Sequence, residues 1–336
     1  MMTKATMETT MEVLTRSSIS EEAGAMFHTF IRSAVGYKKL RGGKTSEDSI
    51  KALRLKNASI CAVADGHGDS SCKYSGIGAE IATRVACDVM RAIYQGCPDD
   101  EALYEYCANN RDTIAKQIIR HWNQAVFEDY LSKTDFPKLK NGREKMLLYI
   151  QRLFNEQSKV RNITEARAYY EEQSQFEETL KKITHFYGTT LNIVVKTQSF
   201  IFCMGIGDGD IISVQGKTVD WLLPPSEQFS TKTQSLCWRP QKALEAFRSV
   251  IIRKTRGRQK SRLFETGIKP DYIIIATDGF RNSFVSDEVF ADKLLEINKE
   301  KQQGYKKFQR HSQAWIEQLT KDSLYQDDIS LGLIFE

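Results

Sequence analysis

The sequence lacks the features that would tie it to a special environment. Its seven cysteines (Cys61, Cys72, Cys87, Cys97, Cys107, Cys203 and Cys237) are odd in number and include no CxxC pair. That excludes a disulfide framework and a zinc knuckle as the organising device and favours reduced thiols. No apolar run approaches the roughly 20 residues needed to span a bilayer; Tyr272–Ala276 is typical of the runs present. The first residues, MMTKATMETTMEVL, contain no continuous apolar stretch, so no signal peptide is expected. Together these absences predict a cytoplasmic protein without membrane attachment. Neither sign of charge dominates: the formal net charge of +5 is too weak a bias to argue for nucleic acid. There is no internal repeat and no low-complexity tract.

What is present is ordinary globular material, with 41% hydrophobic and 27% charged residues over 336 positions. Residues 1–25 show no clear period and read as a loose leader. Residues 26–336 read as one domain. Ser33–Tyr37 and Ser59–Ala64 look like short strands. Ile77, Ile81, Val85, Val89 and Ile93 then recur every four residues, the stripe of an amphipathic helix that Gly96-Cys97-Pro98 stops. Residues 99–183 form a charged, helical block: Leu103 to Val126 predict one long helix, and Leu147–Phe154 and Ala166–Leu180 two more. From Tyr187 the period changes. Leu191–Val195, Ser199–Met204, Ile211–Val214 and Val219–Leu223 read as consecutive strands, followed by Arg248–Arg253, Asp271–Thr277 and Ile329–Phe335. Helices are predicted over 286–298 and 305–320. Strands in runs, with helices set apart, argue α+β.

The acids sit where these strands end. Asp65 and Asp278 each close an apolar strand, Asp327 and Asp328 open another, and Asp208 follows a fourth in Gly205-Ile206-Gly207-Asp208. Glu47 and Asp48 lie in a polar segment before the strand that ends at Asp65. Each alone is an ordinary turn or cap. Jointly they can converge on one rim of a sheet. Carboxylates without a His/Cys set suit hard cations such as Mg²⁺ and Mn²⁺. Two such ions about 3.5–4 Å apart can lower the pKa of a shared water and orient it.

The pattern resembles the metal-dependent protein phosphatases (PPM, the type 2C serine/threonine phosphatases). Ser46-Glu47-Asp48-Ser49 is similar to the family's first acidic motif, and Val63-Ala64-Asp65-Gly66-His67-Gly68 to its DGHG signature. Tyr187-Gly188-Thr189-Thr190-Leu191, Gly205-Ile206-Gly207-Asp208, Ala276-Thr277-Asp278-Gly279-Phe280 and Asp327-Asp328-Ile329-Ser330 follow in the family's order. The resemblance runs from residue 46 to 335. It implies two antiparallel sheets packed face to face with helix pairs outside, a four-layer αββα sandwich, to which the helical block 99–183 is an insertion. It also implies roles. Asp65 would bridge two metals. Asp278 and Asp327 would complete the first, and the Gly66 carbonyl and, through water, Glu47 the second. Asp208 would belong to a weaker third, and His67 would protonate the leaving alkoxide as general acid. The implied activity is hydrolysis of phosphoserine and phosphothreonine on proteins by a metal-activated water. The implied partners are phosphorylated proteins, not nucleic acid, with a monomer favoured. The alternatives are a binding module on the same fold that recognises phosphoproteins or a nucleotide without turnover, or a phosphatase for a small molecule.

Two positions depart from the family's pattern. Gly43 stands where many members have a phosphate-gripping arginine, leaving Arg41 or Lys44 as candidate substitutes. Asn282 stands where many have a second aspartate, which puts the third metal in doubt. The basic stretch from Arg253 to Arg262 reads either as a solvated loop or as a docking surface for an acidic partner.

Overall fold

A computed structural model describes residues 16–133, 142–154, 163–223, 233–253, 270–302 and 305–335. The first fifteen residues and most of the basic stretch Arg253–Arg262 lie outside the described residues. The chain builds β1 (Arg16–Glu21), β2 (His28–Ala34), α1 (Tyr37–Arg41), β3 (Ser49–Arg54) and β4 (Ala58–Ala64), then α2 (Ser75–Gly96), α3 (Asp100–Asn109), α4 (Arg111–Lys133), α5 (Gly142–Gln151) and α6 (Ile163–His185). Next come β5 (Leu191–Thr197), β6 (Phe200–Ile206), β7 (Asp210–Gln215), β8 (Thr218–Leu223), α7 (Pro240–Ala246), β9 (Arg248–Arg253) and β10 (Tyr272–Ala276). The helices α8 (Asp278–Arg281), α9 (Asp287–Gln302) and α10 (Tyr305–Asp322) precede β11 (Ile329–Phe335).

Two sheets result, with strand orders β1-β3-β4-β5-β6-β9 and β2-β11-β10-β7-β8. All pairings are antiparallel except β1 with β3, which is parallel. The inner faces meet through Phe27, Ile31, Ile50, Val63, Val194, Ile211, Ile273 and Ile334. On its outer face the first sheet packs against α2, and α4 packs against α2 in turn. The second sheet carries α9 and α10. This is the α+β four-layer arrangement expected from the sequence. The central strands β4, β5, β6 and β11 are buried along their whole length, because helices cover one face and the other sheet covers the opposite one. Hence they read as continuous apolar runs rather than alternating ones.

The structure corrects several boundaries. Residues 16–21, inside the supposed leader, form β1; held at the sheet edge by backbone pairing to β3, it leaves most of its side chains exposed and so needs no apolar period. The strand expected over Ser33–Tyr37 ends at Ala34, and Tyr37 instead starts α1, whose Leu40 N–H donates to the Gly36 carbonyl. The single helix expected from Leu103 to Val126 is two. Asn110 ends α3, with its backbone N–H and its side-chain amide both donating to the Tyr106 carbonyl, while its own carbonyl accepts from Ile114. No described helix is long and apolar enough to cross a membrane.

The helical block is part of the core. Trp122 of α4 is fully buried and its indole Nε1–H donates to the Gly78 carbonyl of α2 at 3.0 Å. Truncating a buried tryptophan costs about 3–5 kcal/mol. Trp122→Ala is therefore expected to lower unfolding stability by that amount, whereas Leu148→Ser, on the exposed side of α5, shifts it by under about 0.5 kcal/mol. Urea unfolding checks both; equal effects would make the block a peripheral appendage.

Candidate metal centre

The site is assembled at the rim where the ends of the two sheets meet. Asp65 follows β4, and its backbone is fixed from both sides. Its N–H donates to Thr190 Oγ1 at 2.9 Å, and its carbonyl accepts from the Thr190 N–H at 2.9 Å and Thr189 Oγ1 at 2.8 Å. This gives the Gly-Thr-Thr run a physical purpose: both hydroxyls lock the turn that aims Asp65. Gly66 is required by close approach, since a Cβ there would lie 2.5 Å from the Glu47 carbonyl oxygen. Gly188 is required for the same reason, since its Cβ would lie 2.6 Å from Cδ2 of His67. The His67 N–H donates to the Gly188 carbonyl at 3.0 Å, which places the half-buried ring against that glycine.

From the second sheet come Asp278, at the start of α8, and Asp327-Asp328, before β11. Asp65 and Asp278 lie close enough that each influences the ionisation of the other. Burial pushes both carboxyl groups above the usual carboxylate range; Asp48, Asp278 and Asp327 add repulsion at Asp65, and Asp208 and Asp327 add it at Asp278. Asp278 Oδ1 is buried without a hydrogen-bond partner, while Oδ2 accepts from the Asn282 amide at 3.0 Å. The departure at Asn282 thus replaces a charge with a donor that orients Asp278. Asp208 accepts from Thr233 Oγ1 at 3.1 Å and lies close enough to influence both Asp278 and His67. Burial lowers the His67 pKa, and Asp208 works against that.

Three residues stand out to which the sequence analysis assigned no role in the site. Asp48, rather than Glu47, is the fully buried acid of its motif, and its Oδ2 accepts from Thr277 Oγ1 at 2.7 Å. Burial and then Asp328 push its pKa well up, and the Thr277 hydroxyl opposes them. Asp328 is buried and accepts from the Gly36 N–H at 2.6 Å, the Glu47 N–H at 2.7 Å and the Lys39 ammonium at 2.8 Å. Lys39 also reaches Glu47 Oε2 at 2.7 Å and Asp327 Oδ1 at 3.9 Å. Burial alone would lower the Lys39 pKa, but Asp328 and Glu47 outweigh it and hold the ammonium charged. The candidates Arg41 and Lys44 are exposed instead. The Arg41 guanidinium lies 6.0 Å from the centre of the Tyr37 ring, and Lys44 is tied to this region through its backbone N–H to the Lys39 carbonyl. The available signal for Lys39 was its place in α1, directly after Gly36, and the strand boundary drawn through Tyr37 hid it.

Among the described residues, no three His, Cys, Asp or Glu side chains are grouped so as to hold a metal ion as they stand. The donor set nevertheless suits a hard cation: it is all oxygen, it holds one orphaned buried carboxylate oxygen, and its two central carboxyl groups repel unless a proton or a cation lies between them. Residues that could hold ions are Asp65, the Gly66 carbonyl, Asp278, Asp327, Glu47 and Asp208.

Removing the hydroxyl of Thr277 leaves Asp48 buried without its donor and the Ser330 N–H without its acceptor. An unsatisfied buried group costs about 1–3 kcal/mol. Thr277→Val is expected to lower the urea midpoint by the equivalent, with the m-value unchanged; no shift would show that this link contributes nothing to the fold.

No curated protein matches this sequence. Among solved structures, the serine/threonine phosphatase of S. agalactiae aligns with a TM-score of 0.50 at 13% identity, covering 92% of this chain and 99% of that one. A bacterial serine phosphatase aligns with a TM-score of 0.50 at 11% identity (92% and 97% covered), and its arginine-to-alanine variant with the same score at 13% (92% and 98%). At such identities these likenesses speak to the fold. The sequence profile described as protein phosphatase 2C matches residues 35–318, which takes in every motif of the rim except the final Asp327-Asp328. The chain belongs to the protein phosphatase 2C family.

Proposed function

We infer that this protein hydrolyses phosphoserine and phosphothreonine esters on proteins, with Mg²⁺ or Mn²⁺ held at the acidic rim. The observation that carries the reading is the Asp65–Asp278 pair. Two neighbouring carboxyl groups that disfavour each other's ionisation, one with an orphaned buried oxygen, are the arrangement a divalent cation relieves. Asp65, Asp278 and Asp327 would hold one ion, Asp65, the Gly66 carbonyl and Glu47 would hold a second, and Asp208 would hold a weaker third. When bound, these ions would neutralise phosphoryl charge and supply a nucleophilic water near neutral pH.

The chain's own residues do the rest. Asp328 takes two backbone N–H groups and an ammonium, and so fixes Glu47, Gly36 and Lys39 relative to one another. Lys39 is the cation nearest the carboxylates and is the residue we assign to a phosphoryl oxygen. Arg41 and Lys44, exposed on or just after α1, are placed to meet the incoming phosphoprotein instead. His67 is the proton donor to the leaving alkoxide. Burial disfavours the protonated imidazole that this role needs, and the nearby Asp208 works in its favour.

Two experiments test the reading. Phosphate release from a phosphothreonine peptide is expected to require Mn²⁺ or Mg²⁺ and to be lost in Asp278→Asn; release unaffected by chelator would overturn the metal assignment. His67→Gln is expected to reduce kcat on the peptide by about 10²-fold and far less on p-nitrophenyl phosphate, whose leaving group needs no proton. Equal losses on both substrates would remove His67 from the proton-donor role.

A further inference from the structure

The turn that leads into Asp327 ends in two apolar side chains standing in water. Leu324 is 87% exposed and Tyr325 is 65% exposed. A leucine left in water forgoes the stabilisation of burial. The turn is nonetheless held in one shape. The buried Ser323 Oγ accepts from the N–H groups of Tyr325 at 3.2 Å and Gln326 at 3.4 Å, and the Gln326 side-chain amide donates to the Lys321 carbonyl at 3.2 Å. Gln326 itself sits at φ 54°, in the left-handed region, where a residue with a side chain is strained. A strained, hydrogen-bonded turn that displays apolar groups is a presented surface.

That surface adjoins the acidic rim. Asp327 is two residues beyond Tyr325, so no more than about 7 Å of chain separates them. On its other side the Gln326–Asp328 backbone is packed against Gly36, close enough that a Cβ on Gly36 would lie 2.6 Å from the Gln326 carbonyl oxygen. One helical turn after Gly36, Leu40 is 47% exposed, directly beside the Lys39 that enters the carboxylate cluster. Three exposed apolar side chains therefore border a centre that is otherwise charged. Neither a bare phosphate nor a small polar ester has anything to offer them.

We propose that Leu324, Tyr325 and Leu40 form an apolar shelf beside the acidic rim that selects phosphorylated polypeptide segments carrying a bulky apolar residue two or three positions from the phosphorylated one. The spacing follows from reach: at most about 7 Å of chain separates Tyr325 from Asp327, and an extended peptide, rising about 3.3 Å per residue, covers that in two or three residues. This rests on the phosphatase reading and adds the substrate class to it. Leu324 and Tyr325 select; they touch no reacting atom.

The test compares two phosphothreonine peptides differing only in leucine or serine at the second and third positions on either side of the phosphorylated residue. Wild type is expected to prefer the leucine peptide by about 5–10-fold in kcat/KM, chiefly through KM, the size of effect one partly buried apolar side chain supplies. In the double variant Leu324→Ser/Tyr325→Ser that ratio is expected to fall to near one, while Leu148→Ser on α5 keeps it. A wild-type ratio near one, with both peptides hydrolysed, overturns the shelf and leaves the phosphatase reading standing. If neither the peptides nor p-nitrophenyl phosphate is hydrolysed with Mn²⁺, the phosphatase reading falls, and the shelf is decided separately by fluorescence anisotropy of the labelled peptides on Asp278→Asn: a preference abolished by the double variant supports it, and none overturns it. Two results would reassign the surface: sedimentation showing a wild-type dimer that the double variant dissociates, or binding to phosphatidylcholine vesicles that it abolishes. Either overturns the peptide proposal.

Discussion

Mutual repulsion among carboxyl groups is the constraint from which the rest of this structure follows. Asp48, Asp65, Asp278, Asp327 and Asp328 are drawn to one rim by the ends of strands from two sheets, and burial together with neighbouring acids makes Asp48, Asp65 and Asp278 harder to ionise. Left alone such a rim would spread apart. It is held by donors aimed at particular oxygens: Thr277 at Asp48, Asn282 at Asp278, and Gly36, Glu47 and Lys39 at Asp328. At Asp278 that relief is partial: Oδ2 has the Asn282 amide, while Oδ1 is buried without a donor. On the proposed reading, this separates acids that hold the fold from acids that would hold a cation.

The sequence revealed the acids whose strands are unambiguous. Asp65 and Asp278 follow runs so apolar that their ends were evident, and Asp327-Asp328 opens an equally clear final strand. The helices of the second layer were visible for the same reason, as periodic stripes. What stayed hidden depends on contacts distant in sequence. Asp48 and Glu47 are adjacent acids, and only the Thr277 hydroxyl, contributed from the other sheet, distinguishes the buried one. Lys39 is one of several basic residues between Lys38 and Lys44, and only the short helix α1 turns it inward. β1 pairs through its backbone at an edge, where side chains carry no pattern to read.

The helical block bears on the site through the sheet beneath it. Trp122 reaches across to Gly78 on α2, and α2 lies on β3 and β4, the strands that flank Asp48 and deliver Asp65. Ser75, the first residue of α2, donates to Glu47 Oε1 at 2.5 Å. Thus the first turn of that helix belongs to the acidic rim while its later turns belong to the core. Among its described residues the helical block places none at the acidic rim and meets it through α2.

The links between the sheets give the molecule a mechanical character. Thr277 to Asp48, Glu47 to Asp328 and Asp65 to Asp278 all join a residue borne by one sheet to a residue borne by the other. Hydrogen bonds lose most of their strength over a few tenths of an ångström beyond their normal length. A slide of one sheet over the other by even a fraction of the 3.3 Å strand repeat would therefore break the rim long before it exposed the apolar interior. The acidic rim is in effect a shear gauge for the sandwich: any ligand, load or partner that displaces one sheet along the other registers first as a change in carboxylate spacing.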